Sequence, residues 1–124
     1  ETWFGRSVLV HRKGAVAASA GARVLIPGSM GTASYLATGL GSDASFGSCS
    51  HGAGRVLSRS AARSVITPKA LQRAMHGIVY PRGLARSLVE EAPAAYRDID
   101  AVLEDQADLV RKETRLRPVA VLKG

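Results

Sequence analysis

Ser48-Cys49-Ser50-His51-Gly52-Ala53-Gly54-Arg55 sets a histidine directly before a glycine pair, with an arginine-studded helical pattern behind it. Glycine lacks a Cβ, so the stretch predicts a strand that turns sharply after Ser50 and brings bare backbone close to a ligand. A helix running on from Arg55 would add its first unpaired N–H groups and the positive end of its dipole. Such a corner suits a phosphate and places an imidazole beside it. An unprotonated imidazole nitrogen can attack phosphorus and form a phosphoramidate, dividing one hard transfer into two easier ones. The competing reading, a histidine that only hydrogen-bonds within a turn, stays open at this point.

Working outward, Arg55, Arg59 and Arg63 recur every four residues, as do Leu57, Ala61 and Val65. That spacing predicts a helix over 55–66 with one cationic and one apolar face. The arginine row suits either a line of phosphates or a solvated helix surface. Thr67-Pro68 reads as a cap and first-turn proline, opening a helix over 68–76. Asp98 caps a third helix, 98–110, whose apolar positions are Ile99, Val102, Leu103, Ala107 and Val110. Short strands are expected at 8–11, 23–26 and 34–38, with 15–20 as a loop or weak helix. Pro27-Gly28-Ser29-Met30-Gly31 closes the second strand in a turn expected to leave backbone donors free. Ile78 to Tyr80 is a brief strand candidate, and Thr114 to Leu122 a strand that Pro118 makes an edge or bulged one. These elements predict a single α+β domain over 1–124, with short mixed or antiparallel strands and about three helices.

The totals agree with a packed domain. With 124 residues, 46% of them apolar, the chain has material for a core and can bury about two-thirds of its unfolded surface. No apolar run approaches a membrane span, and the start of the sequence shows no signal-peptide pattern, so the expectation is a cytoplasmic protein with no membrane partner. A lone cysteine excludes an internal disulfide framework. The net charge of +7 is uneven: residues 1–89 carry +9 and residues 90–124 carry −2. A basic body favours phosphate-rich partners through counterion release.

The candidate chemistry narrows further. Cys49 and His51 have a spacing seen in metal sites, but two ligands do not complete a site that wants three or four, and no metal site is assigned. Cys49 reads as a small buried thiol, His11 as a surface residue, and His76 as a helix-end residue. Neither G-x-x-x-x-G-K-[ST] nor a G-x-G-x-x-G with a later ribose acid occurs. His51-Gly52-Ala53-Gly54 looks like the oxyanion turn of lipases, yet the G-x-S-x-G elbow those enzymes need is missing. Tyr96 suits stacking on a base or packing in a core. Lys123, behind a run of Val and Leu, carries an ammonium that calls for a specific acceptor.

With those residues in view, the chain resembles the C-terminal portion of the RtcB family of GTP-dependent RNA-splicing ligases. The matching blocks are His11-Arg12-Lys13-Gly14-Ala15, Ile26-Pro27-Gly28-Ser29-Met30-Gly31-Thr32 with Ser34-Tyr35, and Ser45-Phe46. They continue through 48–55 to Ser58-Arg59, then Glu91-Ala92-Pro93, Ala95-Tyr96, Asp98-Ile99-Asp100 and Leu116 to Gly124. The resemblance implies joining of RNA 2′,3′-cyclic phosphate or 3′-phosphate ends to 5′-hydroxyl ends, with GTP and Mn²⁺. It implies that His51 is the nucleophile that takes GMP. Pro27, Gly28, Ser29, Met30, Ser34, Gly52, Ala53 and Gly54 would cradle the guanylate, with Tyr96 near the base and Lys123 reaching the guanine. The family's manganese ligands belong to an N-terminal part with no counterpart in these residues, and 78–88 match poorly. After Ser58-Arg59 the family usually carries lysines, where this chain has Ser60-Ala61-Ala62-Arg63. The expectation is a fragment or split gene product, a ligase segment that is catalytically weak or silent alone and acts when a partner chain supplies the missing metal-binding half. The alternative is a truncated, non-catalytic relic that binds guanine nucleotide or RNA.

Overall fold

The computed structural model describes residues 1–122. A three-stranded antiparallel sheet carries the alternation read at 23–26 and 34–38. Strand β4 (Arg23–Pro27) buries Val24 and Ile26 and turns Arg23 and Leu25 outward, while β5 (Ser34–Gly39) buries Tyr35 and Ala37. Both follow the period-two rule for a half-buried sheet. The third strand, β7 (Val110–Leu116), flanks β5 with Ser34 opposite Leu116 and Gly39 opposite Val110. Only Val110 of β7 is buried, and Arg111, Lys112, Glu113 and Arg115 are all exposed. Charges of that kind protect an edge from pairing with another chain.

Two smaller ladders complete the strands. β1 (Thr2–Trp3) and β2 (Arg6–Ser7) form a hairpin whose turn residues, Phe4 and Gly5, both have positive φ, 52° and 72°. That is the backbone twist a two-residue hairpin loop needs. β3 (Ala15–Ala17) pairs antiparallel with β6 (Ser48–Ser50), Val16 opposite Cys49.

The helices are short. Ser58 caps α1 (Arg59–Val65) by accepting from the Ala61 amide, and Thr67 caps α2 (Pro68–Ala74) by accepting from Ala70. α3 (Ala85–Leu88) follows a 3₁₀ turn, and α4 (Ile99–Glu104) begins at Asp98, whose carboxylate accepts from the Asp100 amide. Burial falls in two clusters. One holds Val24, Ile26, Tyr35, Cys49, Ile99 and Leu103; the other holds Met30, Leu71, Met75, Leu88 and Ala95. Tyr96 packs against both.

Several boundaries differ from the sequence reading. Residues 8–11 form no strand, because the only ladder in that region belongs to the hairpin just before them. Residues 15–17 are strand rather than loop or weak helix, since their backbone pairs antiparallel with β6. The helix expected from Arg55 begins only at Arg59: Val56 and Leu57 both donate to the Ala95 carbonyl, which fixes the chain in a bend ahead of the Ser58 cap. The helix expected over 98–110 ends at Glu104, and Val110 opens β7 instead, its β-branched side chain completing the sheet's buried face. The 78–80 strand reduces to one parallel bridge between Val79 and Ala120, and the tail strand ends at Leu116, before Pro118.

Candidate functional site

His51 follows β6 directly and is exposed to solvent. Its backbone N–H donates to the Gly14 carbonyl at 3.2 Å, and a Cβ built on Gly14 would lie 3.9 Å from His51 Nδ1. The ring therefore stands beside the bare backbone that links residue 14 to β3. On the preceding residue, the Ser50 N–H donates to Gln106 Oε1 at 2.8 Å, and the Ser50 hydroxyl donates to the Gly52 carbonyl. The Ala53 N–H then donates to the Pro27 carbonyl at 2.9 Å. Gly52 is required there, since a Cβ on it would sit 2.8 Å from that same carbonyl oxygen. Gly54 takes a left-handed φ of 73°, and its carbonyl accepts from the Arg97 N–H at 2.9 Å. A cleft of about 460 Å³ opens here, lined by Gly14, His51, Gly54, Arg55, Arg97 and Gln106 among others.

The turn after β4 closes on itself. Gly28 N–H donates to the Ala33 carbonyl at 3.1 Å, Ser29 N–H to Thr32 Oγ1 at 2.7 Å, and Gly31 N–H to Ser29 Oγ at 3.4 Å. These donors are engaged within the turn, contrary to the expectation that they stand free. Pro27 and Ser34 face each other in the β4–β5 register, and Ser34 is half-buried. Met30 is buried in the second cluster, so its side chain serves packing. The helix dipole expected beside His51 is absent, because α1 starts eight residues later.

Tyr96 is half-buried and meets Arg55 across an antiparallel bridge. The Arg55 guanidinium lies 4.9 Å from the ring centroid and donates to the phenolic oxygen at 3.1 Å, while the phenol donates to Glu91. Burial first, and the bond to the Glu91 carboxylate second, push the Tyr96 phenol above its ordinary value. Arg59 and Arg63 pair with Glu90 and Glu91. The arginine row thus answers to carboxylates of its own chain, an arrangement the spacing of the arginines did not reveal.

A larger cleft, about 910 Å³, is lined by Gly31, Thr32, His76, Tyr96, Arg97, Asp100, Arg115 and Arg117 among others. His51 and Tyr96 thus border different clefts, and Arg97 borders both. His51, Gly52, Ala53 and Gly54 are brought against Pro27 and, through Gly54 and Arg55, next to Tyr96 and Arg97. Lys123 lies outside the described residues. His11 is exposed, as its sequence context implied. Cys49 is buried, and that burial pushes its thiol pKa up. Arg97 and Gln106 were not singled out from sequence. The sequence signal for Gln106 was its spacing, three residues after Leu103 and seven after Ile99, in step with the apolar face of the expected helix.

Among the described residues, no helix is long and apolar enough to cross a membrane. Nor does any group of three or more His, Cys, Asp or Glu side chains stand where it could hold a metal ion.

The family model described as tRNA-splicing ligase RtcB matches residues 1–124. The RNA-splicing ligase RtcB of Escherichia coli strain K12 is 45% identical over 124 residues, covering all of this chain and 30% of that relative. The RNA-splicing ligase RtcB of Mycobacterium tuberculosis is 42% identical over 136 residues, covering 96% of this chain and 32% of the relative. The tRNA-splicing ligase RtcB of Pyrobaculum aerophilum is 43% identical, covering 96% of this chain and 28% of its own length. The chain thus spans about a third or less of the length of these relatives, and across that span it belongs to the family of the tRNA-splicing ligase RtcB.

Proposed function

We propose that this chain is the histidine-bearing, C-terminal portion of an RNA ligase that joins 2′,3′-cyclic phosphate or 3′-phosphate ends to 5′-hydroxyl ends using GTP. An imidazole nitrogen of His51 attacks the α-phosphorus of GTP. The N–P bond forms as the bond to the leaving pyrophosphate breaks. GMP then passes from His51 to the RNA 3′-phosphate, and the 5′-hydroxyl of the second end displaces it. The observation that carries this reading is the placement of His51: exposed, on a cleft, with its backbone tied to Gly14 and the glycine corner behind it tied to Pro27.

In this reading Pro27, Gly28, Ser29, Ser34 and Gly52 to Gly54 form the wall against which the guanylate lies, and Met30 contributes through its main chain. Tyr96, oriented by Arg55 and Glu91, offers a face for the base, and Lys123 supplies a donor. Mn²⁺ supplies charge neutralisation on the transferred phosphoryl group in such a reaction. The side chains here do not fit that ion: no suitable cluster occurs among the described residues, and Cys49 is buried with its thiol pushed up. Its ligands are therefore assigned to the rest of a longer ligase.

The test is incubation with α-labelled GTP and Mn²⁺, with and without a protein that supplies the remaining part of a family ligase. Label that appears on this chain only in the presence of that part, and disappears in His51→Ala, is the expected result. Absence of label under both conditions overturns the reading.

A further inference from the structure

We propose that Gln106 is a positioning residue for His51, an inference that rests on the role of His51 proposed above. Gln106 lies in the turn after α4, with its residue 6% exposed. Its Oε1 accepts from the Ser50 N–H at 2.8 Å, one residue before His51. A backbone N–H can meet only an acceptor, so this bond decides which end of the carboxamide faces β6.

The need for such a contact follows from the sheet. β6 pairs only with β3, Ser50 opposite Ala15, and its other edge has no neighbouring strand among the described residues. The Gln106 carboxamide provides an acceptor where the next strand would have done so. His51 is then held from two sides: Gly14 takes its own N–H, and Gln106 takes the N–H before it. Gln106 and His51 line the same cleft.

The other end of the side chain argues against a purely structural role. Gln106 Nε2 is buried and has no hydrogen-bond partner among the described residues. A buried donor left unpaired costs stability that an apolar chain of the same volume would not. Gln106 is thus a poor packing residue and a good backbone acceptor, at a place where a small shift of β6 would swing the imidazole off its line of attack. A misplacement of about 1 Å is enough to slow a reaction about a hundredfold.

The test compares Gln106→Met, which keeps the volume and removes both polar ends, with Gln106→Glu, which keeps an acceptor for Ser50. Amide hydrogen exchange and the ring resonances of His51 are followed in the 124-residue chain. Transfer of label from GTP is followed in the Escherichia coli relative carrying these 124 residues in place of its own matching stretch. In the Met variant, the Ser50 amide should exchange at least about tenfold faster and the His51 ring resonances should move, while the Leu71 amide stays as in the wild type. The Glu variant should restore Ser50 protection. The labelling rate of the Met variant at saturating GTP should fall about a hundredfold, with the half-saturating GTP concentration nearly unchanged. Unaltered Ser50 exchange and His51 resonances in the Met variant overturn the proposal, as does a rise in half-saturating GTP with the rate preserved. If the wild-type chimera takes no label, the ligase reading fails, and exchange and resonances still decide whether Gln106 holds His51.

Discussion

Replacing Gly52 by alanine tests whether the histidine corner is as tightly closed as its geometry indicates. The new Cβ would sit 2.8 Å from the Pro27 carbonyl oxygen and 3.4 Å from Pro27 Cγ. Neither is the end of a flexible side chain: both belong to the last residue of β4, which is paired with Ser34. One of the two backbones must move. The Pro27 carbonyl also accepts from Ala53 at 2.9 Å, so the shift lengthens that bond, worth about 1 kcal/mol. Overpacking of a closed site adds about 1–3 kcal/mol. The smaller freedom of alanine in the unfolded chain returns about 0.4–1 kcal/mol. The net loss is about 1–3.6 kcal/mol, or a fall in Tm of roughly 4–14 °C for a domain of this size. Gly54→Ala is the control: its Cβ meets nothing within 4 Å, and only its φ of 73° opposes it, at about 1 kcal/mol. The assay is thermal unfolding followed by circular dichroism, with amide exchange at Ala53. Gly52→Ala should melt lower and free the Ala53 amide, whereas Gly54→Ala should keep that amide protected. A Gly52→Ala protein that melts within about 1 °C of wild type with Ala53 still protected refutes the reasoning.

Other expectations concern the two cores and their titrating groups. Leu71→Ala, at a fully buried position, should cost about 2–5 kcal/mol, and Thr67→Ala, which removes the α2 cap, about 1 kcal/mol; denaturant midpoints measure both. Arg59→Ala should change stability by no more than about 1 kcal/mol, because its side chain is 68% exposed and its ion pairs are screened. Cys49 should resist aromatic disulfide reagents at pH 8 until denaturant is added, since burial raises its thiol pKa. The Tyr35 and Tyr96 phenols are both raised, Tyr35 chiefly by its bond to Asp100 and Tyr96 chiefly by burial. A phenol with a raised folded-state pKa gives stability that is complete below the unfolded value, about 10, and falls as pH climbs past it. Unfolding free energy should therefore drop above about pH 10, and Tyr96→Phe should make that drop shallower.

What the sequence disclosed divides along a physical line. Val24 and Ile26, and Tyr35 and Ala37, alternate with outward residues, so β4 and β5 were legible from period two alone. Thr67-Pro68 announced α2 because a cap and a first-turn proline act locally. β3 was hidden, since Ala15, Val16 and Ala17 have no strong local preference and become a strand only by pairing with β6, more than thirty residues away. The arginine spacing drew the start of α1 back to Arg55, where the bridge to Tyr96 and the bonds to the Ala95 carbonyl keep the chain out of helix. Ser58 caps the helix where it begins, at Arg59. At the site, the glycines around His51 indicated a close approach, and Gly52 against Pro27 is one. The roles of Arg97 and Gln106 depend on contacts between distant segments, which no local pattern carries.

The corner also sits where the two buried clusters meet. Ile26 belongs to the sheet cluster and Met30 to the helical one, so the turn between them passes from one core to the other. Tyr96 packs against both, and its neighbours on either side of the seam, Arg55 and Arg97, are tied to the backbone of the histidine turn. Ala53, which lines the His51 cleft, belongs to the sheet cluster, so that wall is packed from behind. That arrangement explains why His51 can be exposed and still be held. Its freedom is limited by Gly14, Pro27 and Gln106 on the sheet side, and by Arg97 through Gly54 on the other. Weakening the sheet cluster should therefore loosen the corner. Ile26→Ala should free the Ala53 amide while leaving the Arg97 amide protected.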